Sequence, residues 1–559
     1  MGGGTTIYEA SKLGRAAIGC DLNPLSVFIV EAMFLSSGRD AIKAACEMTL
    51  DALTPFEGPV QLACSQCGNP GRIEWCELVH TVECPNCSEL CKLSEDQKVA
   101  PGRYRCPNQN CSYSKGFAAA RVRRGQPHYK YSVVKCATCS NTWTEEFSDW
   151  HLRELGKIRK ALQDELAARG VNLSRSPIPR EWDRQHEDLL FAKGFEYFED
   201  LFTHRNLLEL LILKSEIQKK AGDPEVYRAL RFAFSDSLRD VNVMSFTNSS
   251  WQAGKPTTWS KHAYWTPSEF CEVSVSSAFR KSVQSLIRSI EFNSNNQFQG
   301  RLVSSKRPED LAPSEAILHS GSVTSLDLGE NSVDAVITDP PYGSNVQYAE
   351  LSHFWYPWNK DLYRSNPDFK LEAVVNRKQG FEGAKTYSSY EANLAEVFSA
   401  SFKALKSRGI LALTFNNKDL RAWVALLAAI TKSGFRYIPN SVYFQDGVAN
   451  YRQTAHTRFE GSPFGDFVYV FEKSPEVERK SPLGDRSLNE EISRALKTAN
   501  GLLERGNPRE AVMTGFYNQL VILIQDYIWS DAELSSESIY QMLLGSELGI
   551  FYKKEADGK

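Results

Sequence analysis

Asp339-Pro340-Pro341-Tyr342-Gly343 follows an apolar run, Asp334-Ala335-Val336-Ile337-Thr338. The run reads as a buried strand. Two consecutive prolines cannot continue a central strand, so the chain must turn sharply there. The turn sets a carboxylate, two carbonyls of restricted direction and an aromatic ring at a strand's C-terminal end, the usual ligand side of an α/β sheet. That set suits the exocyclic amine of a base. Acceptors would orient its N–H bonds and so aim its lone pair, and a ring face would stack on an extruded base. Asp339 and the Pro340 carbonyl fit the first task, with Pro341 fixing the turn, and Tyr342 fits the second. The bland alternative is a proline-rich turn with a solvent-facing acid.

A second chemical signal lies at the start. Gly2-Gly3-Gly4-Thr5-Thr6 leads into a helical pattern ending near Leu13-Gly14-Arg15, and a short strand, Ala16 to Cys20, ends in Asp21-Leu22-Asn23-Pro24. Glycines let backbone approach a ligand closely, and a helix N-terminus offers free N–H groups. An acid at the next strand's end can accept hydrogen bonds from ribose hydroxyls. Gly2, Gly3, Gly4, Thr5, Asp21 and Asn23 are therefore the candidate cofactor residues. A glycine run alone reads equally well as a flexible start.

Together these segments resemble motif I, the following strand and the catalytic motif of S-adenosylmethionine-dependent amino-methyltransferases. The chain most resembles the adenine-specific DNA methyltransferases that carry a zinc ribbon inside the catalytic fold. The resemblance implies S-adenosylmethionine as cofactor, DNA as partner and N6 of adenine as the methylated atom. It also implies an α/β fold with a Rossmann-like methyltransferase sheet. The family's loop usually reads Asp-Pro-Phe-x-Gly-x-Gly-Thr-Thr, and this chain starts inside it, so the sheet's first strand is expected to be missing. Either an upstream segment or a separate chain would supply that strand. The family often carries an acid near Ser322, and serine there takes no such role. Asp-Pro-Pro-Tyr-Gly also resembles enzymes methylating N2 of guanine in RNA. A third reading is a catalytically silent, zinc-dependent nucleic-acid-binding remnant.

The roughly 300 residues between Asp21 and Asp334 are far longer than a loop and must be inserted structure. Its first part holds eight cysteines in four pairs: Cys64/Cys67, Cys84/Cys87, Cys106/Cys111 and Cys136/Cys139. Paired knuckles of this kind are the thiolate signature of tetrahedral structural zinc, with no position left open for catalysis. Sequence order groups the first two pairs as one site and the last two as another, although pairing could cross between the sets. Cys76, Cys91 and His80 are spare candidates, while Cys20, Cys46 and Cys271 read as buried thiols. From Pro101 to Lys135 there are eight Lys/Arg, including Arg121, Arg123, Arg124 and Lys130, and no Asp or Glu. Tyrosines are interleaved, so the stretch suits phosphates, or else is a solvated ribbon face.

The elements around these signals follow from periodicity. Strands are expected at Ala316–His319, Gly409–Phe415, Ser441–Phe444 and Phe467–Phe471, with helices over Leu152–Arg169, Phe202–Lys220, Tyr227–Leu238, Trp423–Ser433 and Phe516–Trp529. Ser344 to Trp358 looks like a substrate-facing loop and helix, though Trp355 and Trp358 fit a core as well. Trp251, Trp259, Tyr264 and Trp265, with Lys255, Lys261 and His262, form either a target-recognition surface or an ordered loop with aromatic anchors. The expected organisation is residues 1–50 and 316–475 for the methyltransferase domain, 51–150 for the double ribbon, 151–315 for a helical insertion and 476–559 for a helical tail. At 42% apolar, 24% charged and net charge −3, the composition is that of a globular protein. No apolar run approaches the roughly 18 residues that cross a bilayer, so a cytoplasmic protein is expected.

Overall fold

The computed structural model describes residues 1–36, 38–172, 174–220, 222–248, 251–260, 262–304, 306–363, 369–415, 417, 419–446, 465–474, 487–530 and 535–544. The architecture is mixed α/β, and the chain divides into two compact units. The first gathers residues 1–27, 299–349 and 364–559, and the second residues 28–298 and 350–363. Among the described residues no helix is long and apolar enough to cross a membrane.

The first unit begins with helix α1 (Thr5–Lys12) and strand β1 (Ala17–Asp21). Strands β2 (Arg301–Leu302) and β3 (Glu315–Ser320) join β1 in one sheet, in the order β1-β3-β2, all parallel. Strand β4 (Val333–Thr338) opens a second sheet, followed by helix α2 (Tyr387–Ala404), strand β5 (Leu405–Phe415) and helix α3 (Leu420–Lys432). Strands β6 (Phe435–Tyr437), β7 (Tyr443–Asp446) and β8 (Gly465–Lys473) complete it. Its order is β4-β5-β8-β6, with β7 also on β8. Strand β4 runs parallel to β5, and the other pairings are antiparallel.

The core of this sheet forms where apolar residues recur on one face. Leu411, Leu413 and Phe415 of β5 point into a cluster with nearly every side chain of α3. A helix apolar on all sides must be covered on all sides. The covering comes from α4 (Leu488–Glu504), α5 (Arg509–Ser530) and α6 (Ser536–Leu544), whose Tyr517 stacks on Trp423 of α3 at 5.2 Å. The C-terminal helices thus share the sheet's own core.

Strand β4 departs from expectation. Its sequence is that of a buried strand, yet it is half exposed and Ile337 is 58% exposed. The cause is topological. Among the described residues β4 has a ladder partner on one side only, β5, and β1 likewise has only β3. An apolar, β-branched strand with one open edge is the surface a further strand would cover.

The second unit is built on a four-stranded antiparallel sheet, Glu269–Val273, Gly71–Val79, His128–Cys136 and Thr142–Glu146 in that order. Helices Arg39–Leu50, His204–Lys220, Pro224–Ser237 and Val275–Asn295 pack around it in one large core. Phe354 and Trp358 belong to that core, buried against Phe202 and Phe234. Trp355 stacks on Trp259 at 5.5 Å and donates to the Ser235 carbonyl. The expected substrate-facing character of Phe354–Trp358 is corrected accordingly: these rings are anchors of a core. Trp259 and Tyr264 are buried anchors as well, whereas Trp265 is 39% exposed. Lys261 and the side chain of Trp251 lie outside the described residues.

Candidate active site

The corner Asp339-Pro340-Pro341-Tyr342 stands at the C-terminal end of β4, and three neighbours fix its backbone. The Tyr390 hydroxyl of α2 donates to the Pro341 carbonyl at 2.7 Å, and the Asn417 amide donates to the Tyr342 carbonyl at 3.1 Å. Gly343 takes φ +56°, where a Cβ would meet Ala422 Cβ at 3.2 Å, so a side chain would be strained and crowded there. Arg377 adds hydrogen bonds to the Ser344 and Asn345 carbonyls at 3.1 and 3.0 Å.

Two side chains of the corner are placed for chemistry. Asp339 Oδ1 accepts from the Thr414 hydroxyl of β5 at 2.7 Å, while the residue itself is exposed. Tyr342 meets Phe415 edge-on at 5.0 Å. Burial, and then the negative charges of Asp339 and Asp466, push its phenol upward, so the ring stays neutral. Thr414, Tyr390 and Asn417 belong to no motif visible in the sequence. Only their places in and around β5, the strand that pairs with β4, could have pointed to them: Tyr390 on the helix before it, Thr414 near its end and Asn417 just after it.

The glycine segment is ordered against β1. Gly4 caps α1 with φ 85°, and Gly2 N–H donates to Asp21 Oδ2 at 2.8 Å. Asp21 Oδ1 accepts from Asn23 N–H at 2.9 Å, and the Met1 ammonium lies 3.4 Å from Oδ2. Asn23 in turn accepts from Leu25 N–H at 3.1 Å, as a helix cap does. Gly2, Gly3, Gly4 and Thr5 therefore sit with Asp21 at the C-terminal end of a parallel strand. Asp21 and Asn23 already have structural work there: one ties the glycines down and the other starts the next helix. Ser322 caps a short turn through Thr324 N–H.

The cysteines form two tetrads, and their grouping corrects sequence order. Cys64, Cys67, Cys136 and Cys139 make one, and Cys84, Cys87, Cys106 and Cys111 make the other. The reason is the long hairpin of Gly71–Val79 with His128–Cys136. Gly71 pairs with Cys136, which brings the first and last knuckles together at its open end. Val79 pairs with His128 at the far end, where the excursion carrying the two middle pairs leaves. Sulfur separations of 3.5 and 3.6 Å in one tetrad, and 3.5 and 3.7 Å in the other, match four thiolates about 2.3 Å from a shared zinc. The Tyr113 N–H and Asn86 bring the Cys111 thiol down to about 7. Cys139 accepts a hydrogen bond from the Asn141 backbone N–H, but desolvation and its sulfur neighbours push it up to about 12, as expected where only a cation lets several thiolates coexist. The tetrads thus fit zinc. The spare candidates stay out of them: His80 stacks on Phe270 at 4.5 Å, and Cys76 and Cys91 are buried. Cys20, Cys46 and Cys271 are thiols pushed upward by burial, as expected.

The basic stretch is less free than its sequence suggests, because acids distant in the chain meet it. Lys130 pairs with Glu77 at 3.2 Å and Glu269 at 3.5 Å, and Arg123 pairs with Glu196 at 2.9 Å. Arg124 is half-buried, and desolvation lowers it to about 10. Arg121 is exposed and has no ion pair among the described residues.

No protein-family model matches the chain, and no curated protein is similar to it. Among solved structures it is similar to a protein of Thermus thermophilus provisionally described as a DNA modification methylase. Identity is 15%, the match covers 32% of this chain and the TM-score is 0.16. The chain spans 60% of that protein's length.

Proposed function

We propose that the chain is the greater part of an S-adenosylmethionine-dependent DNA methyltransferase acting on the exocyclic amino group of a base, N6 of adenine. The observation that carries this reading is the braced corner. An exposed carboxylate, a rigid proline carbonyl and a neutral aromatic ring are held at one strand end by Tyr390, Asn417 and Thr414. On this reading the two sheets of the first unit are halves of one Rossmann-like sheet. A strand from an upstream segment or a separate chain would lie between β1 and β4, whose open edges favour it.

The bound cofactor would supply an electrophilic methyl group on a sulfonium. The chain's own residues do the rest by positioning. Gly2, Gly3, Gly4 and Thr5 offer close backbone and the start of α1, and Asp21 keeps lone pairs for ribose hydroxyls beyond those its amide partners use. Asn23 holds the strand end in shape. Asp339 and the Pro340 carbonyl accept the two N–H bonds of the amine, which turns its lone pair toward the incoming methyl. Tyr342 stacks on the extruded base. Once the nitrogen carries its fourth bond, Asp339 takes one amine proton and passes it to water.

The tetrads would hold two structural zinc ions, and the ribbon would meet DNA phosphates through Arg121, with Arg123, Arg124 and Lys130 set back by their partners or burial. Within the two units, segments 51–150 and 151–315 would serve as ribbon and recognition modules, 1–50 and 316–475 as the methyltransferase domain, and 476–559 as its helical tail. Incubation with labelled S-adenosylmethionine and either duplex DNA or transfer RNA tests the reading. Label recovered from DNA as N6-methyladenine supports it, and label confined to guanine in RNA would overturn it.

A further inference from the structure

Three basic side chains meet in the second unit, where the excursion carrying the second tetrad returns to the sheet. His80 follows the strand Gly71–Val79. Arg124 bridges to Val82 of the strand Thr81–Glu83, and its backbone N–H donates to the Lys193 carbonyl at 2.8 Å. Lys193 ends the short helix Leu190–Lys193. The next residue, Gly194, takes φ +91°, and a Cβ there would meet Arg123 Cγ at 2.8 Å, so glycine is what lets these two segments lie so close. None of these residues belongs to the Asp339 corner or the glycine segment.

The charge gathered here has little to answer it. Lys193 is 8% exposed, and its ammonium has no hydrogen bond or ion pair among the described residues. Arg124 is half-buried and gives one N–H to the Ala119 carbonyl, while its buried Nε has no partner. Burial, and then the charge of Arg124, lower Lys193 to about 8, and the opposing pull of Asp188 is the smallest of the three effects. Asp188 accepts from the Tyr264 N–H at 2.9 Å and lies 3.7 Å from Arg184. His80 offers no compensation. It stacks on Phe270 with both ring nitrogens buried and unpartnered, and burial with the charges of Arg124 and Lys193 holds it well below its ordinary range. Cations withdrawn from water with so little counter-charge are costly, so the pair favours an anion.

We propose that Arg124 and Lys193 together hold a phosphomonoester group, the chemistry shared by inorganic phosphate and the 5′-phosphate of a nucleic acid strand. Its charge of about −1.5 to −2 at neutral pH matches two cations, and its three oxygens can accept from the guanidinium and the ammonium at once. A phosphodiester or a carboxylate brings a single charge and leaves one cation unanswered. The group meets the pair from the side of Arg124, the less buried of the two. There the turn Ala119–Arg121, to which Arg124 is bonded, ends in the exposed Arg121, whose charge would draw the end of a strand toward the seat.

Two titrations of the full chain test this and separate the sources. One follows the melting temperature in inorganic phosphate against chloride at equal ionic strength. The other follows the anisotropy of a labelled single-stranded oligonucleotide carrying either a 5′-phosphate or a 5′-hydroxyl. The expected result is about tenfold tighter binding of the phosphorylated strand. A melting temperature raised by phosphate, without that preference, assigns the seat to the free ion. Lys193→Met removes the charge at similar volume and should abolish whichever response the parent shows. Arg124→Gln should do the same, and serves alone if Lys193→Met does not fold. Two outcomes overturn the proposal: a parent that responds in neither titration, or a response that both substitutions leave unchanged.

Discussion

Double cysteine-to-serine variants distinguish the two possible groupings of the metal ligands. In the structure Cys64 and Cys136 share one tetrad, whereas sequence order would put them in different ones. A closed structural site needs all four thiolates, so losing one or two of them empties it on purification. Cys64→Ser with Cys136→Ser should therefore lower bound zinc from two ions per chain to one. The grouping by sequence order would lower it to none. Cys64→Ser with Cys84→Ser reverses the outcomes, leaving none on the structural grouping and one on the other. Each structural zinc contributes on the order of 10 kcal/mol to its own module, so loss of an ion should also unfold that module. Elemental analysis of purified protein, normalised to chain concentration, reads the count directly. One zinc remaining in the Cys64/Cys84 variant would refute the hairpin argument.

Other perturbations bear on the sheet and the charges. Tyr390→Phe removes the donor to the Pro341 carbonyl. Urea unfolding should show a loss of about 1 kcal/mol, and kcat should fall more than KM rises. Burial, opposed by Arg436, pushes Asp526 up to about 6. A carboxyl raised in the folded state stabilises below its unfolded value and loses that contribution as pH rises through 6. Asp526→Asn should therefore raise the urea midpoint relative to the parent at pH 7 but not at pH 4, and an equal gain at both would contradict the cause. Arg121→Glu should flatten the salt dependence of DNA binding. Lys130→Glu should leave it nearly unchanged, because Glu77 and Glu269 already neutralise that lysine. Equal effects would show that the ion pairs open on binding.

Much of the fold can be read from local pattern. Helix and strand positions around Trp423, Phe467 and Leu213 follow from periodicity, and the turn at Pro340 follows from two residues without an N–H. What escaped were relations set by long-range pairing. The cysteine grouping depends on Gly71 meeting Cys136, which no spacing rule contains. The exposure of Ile337 depends on which strand lies beside β4 and not on its own apolar neighbours. The basic stretch looked uncompensated because Glu77, Glu196 and Glu269 are remote in sequence and close in space. At the corner, Asp339 and Tyr342 were visible as a motif, while Thr414, Tyr390 and Asn417 act through single hydrogen bonds that any polar residue type could make.

The central claim is that Asp339 sits where a base amine gives up a proton as it gains a methyl group. The most direct measurement is mass spectrometry of nucleosides from the DNA of cells expressing the reading frame in its genomic setting, beside cells carrying Asp339→Ala at equal protein level. The account predicts N6-methyladenine in the first and none in the second. Equal amounts in both, or no methylated base in either, would contradict it.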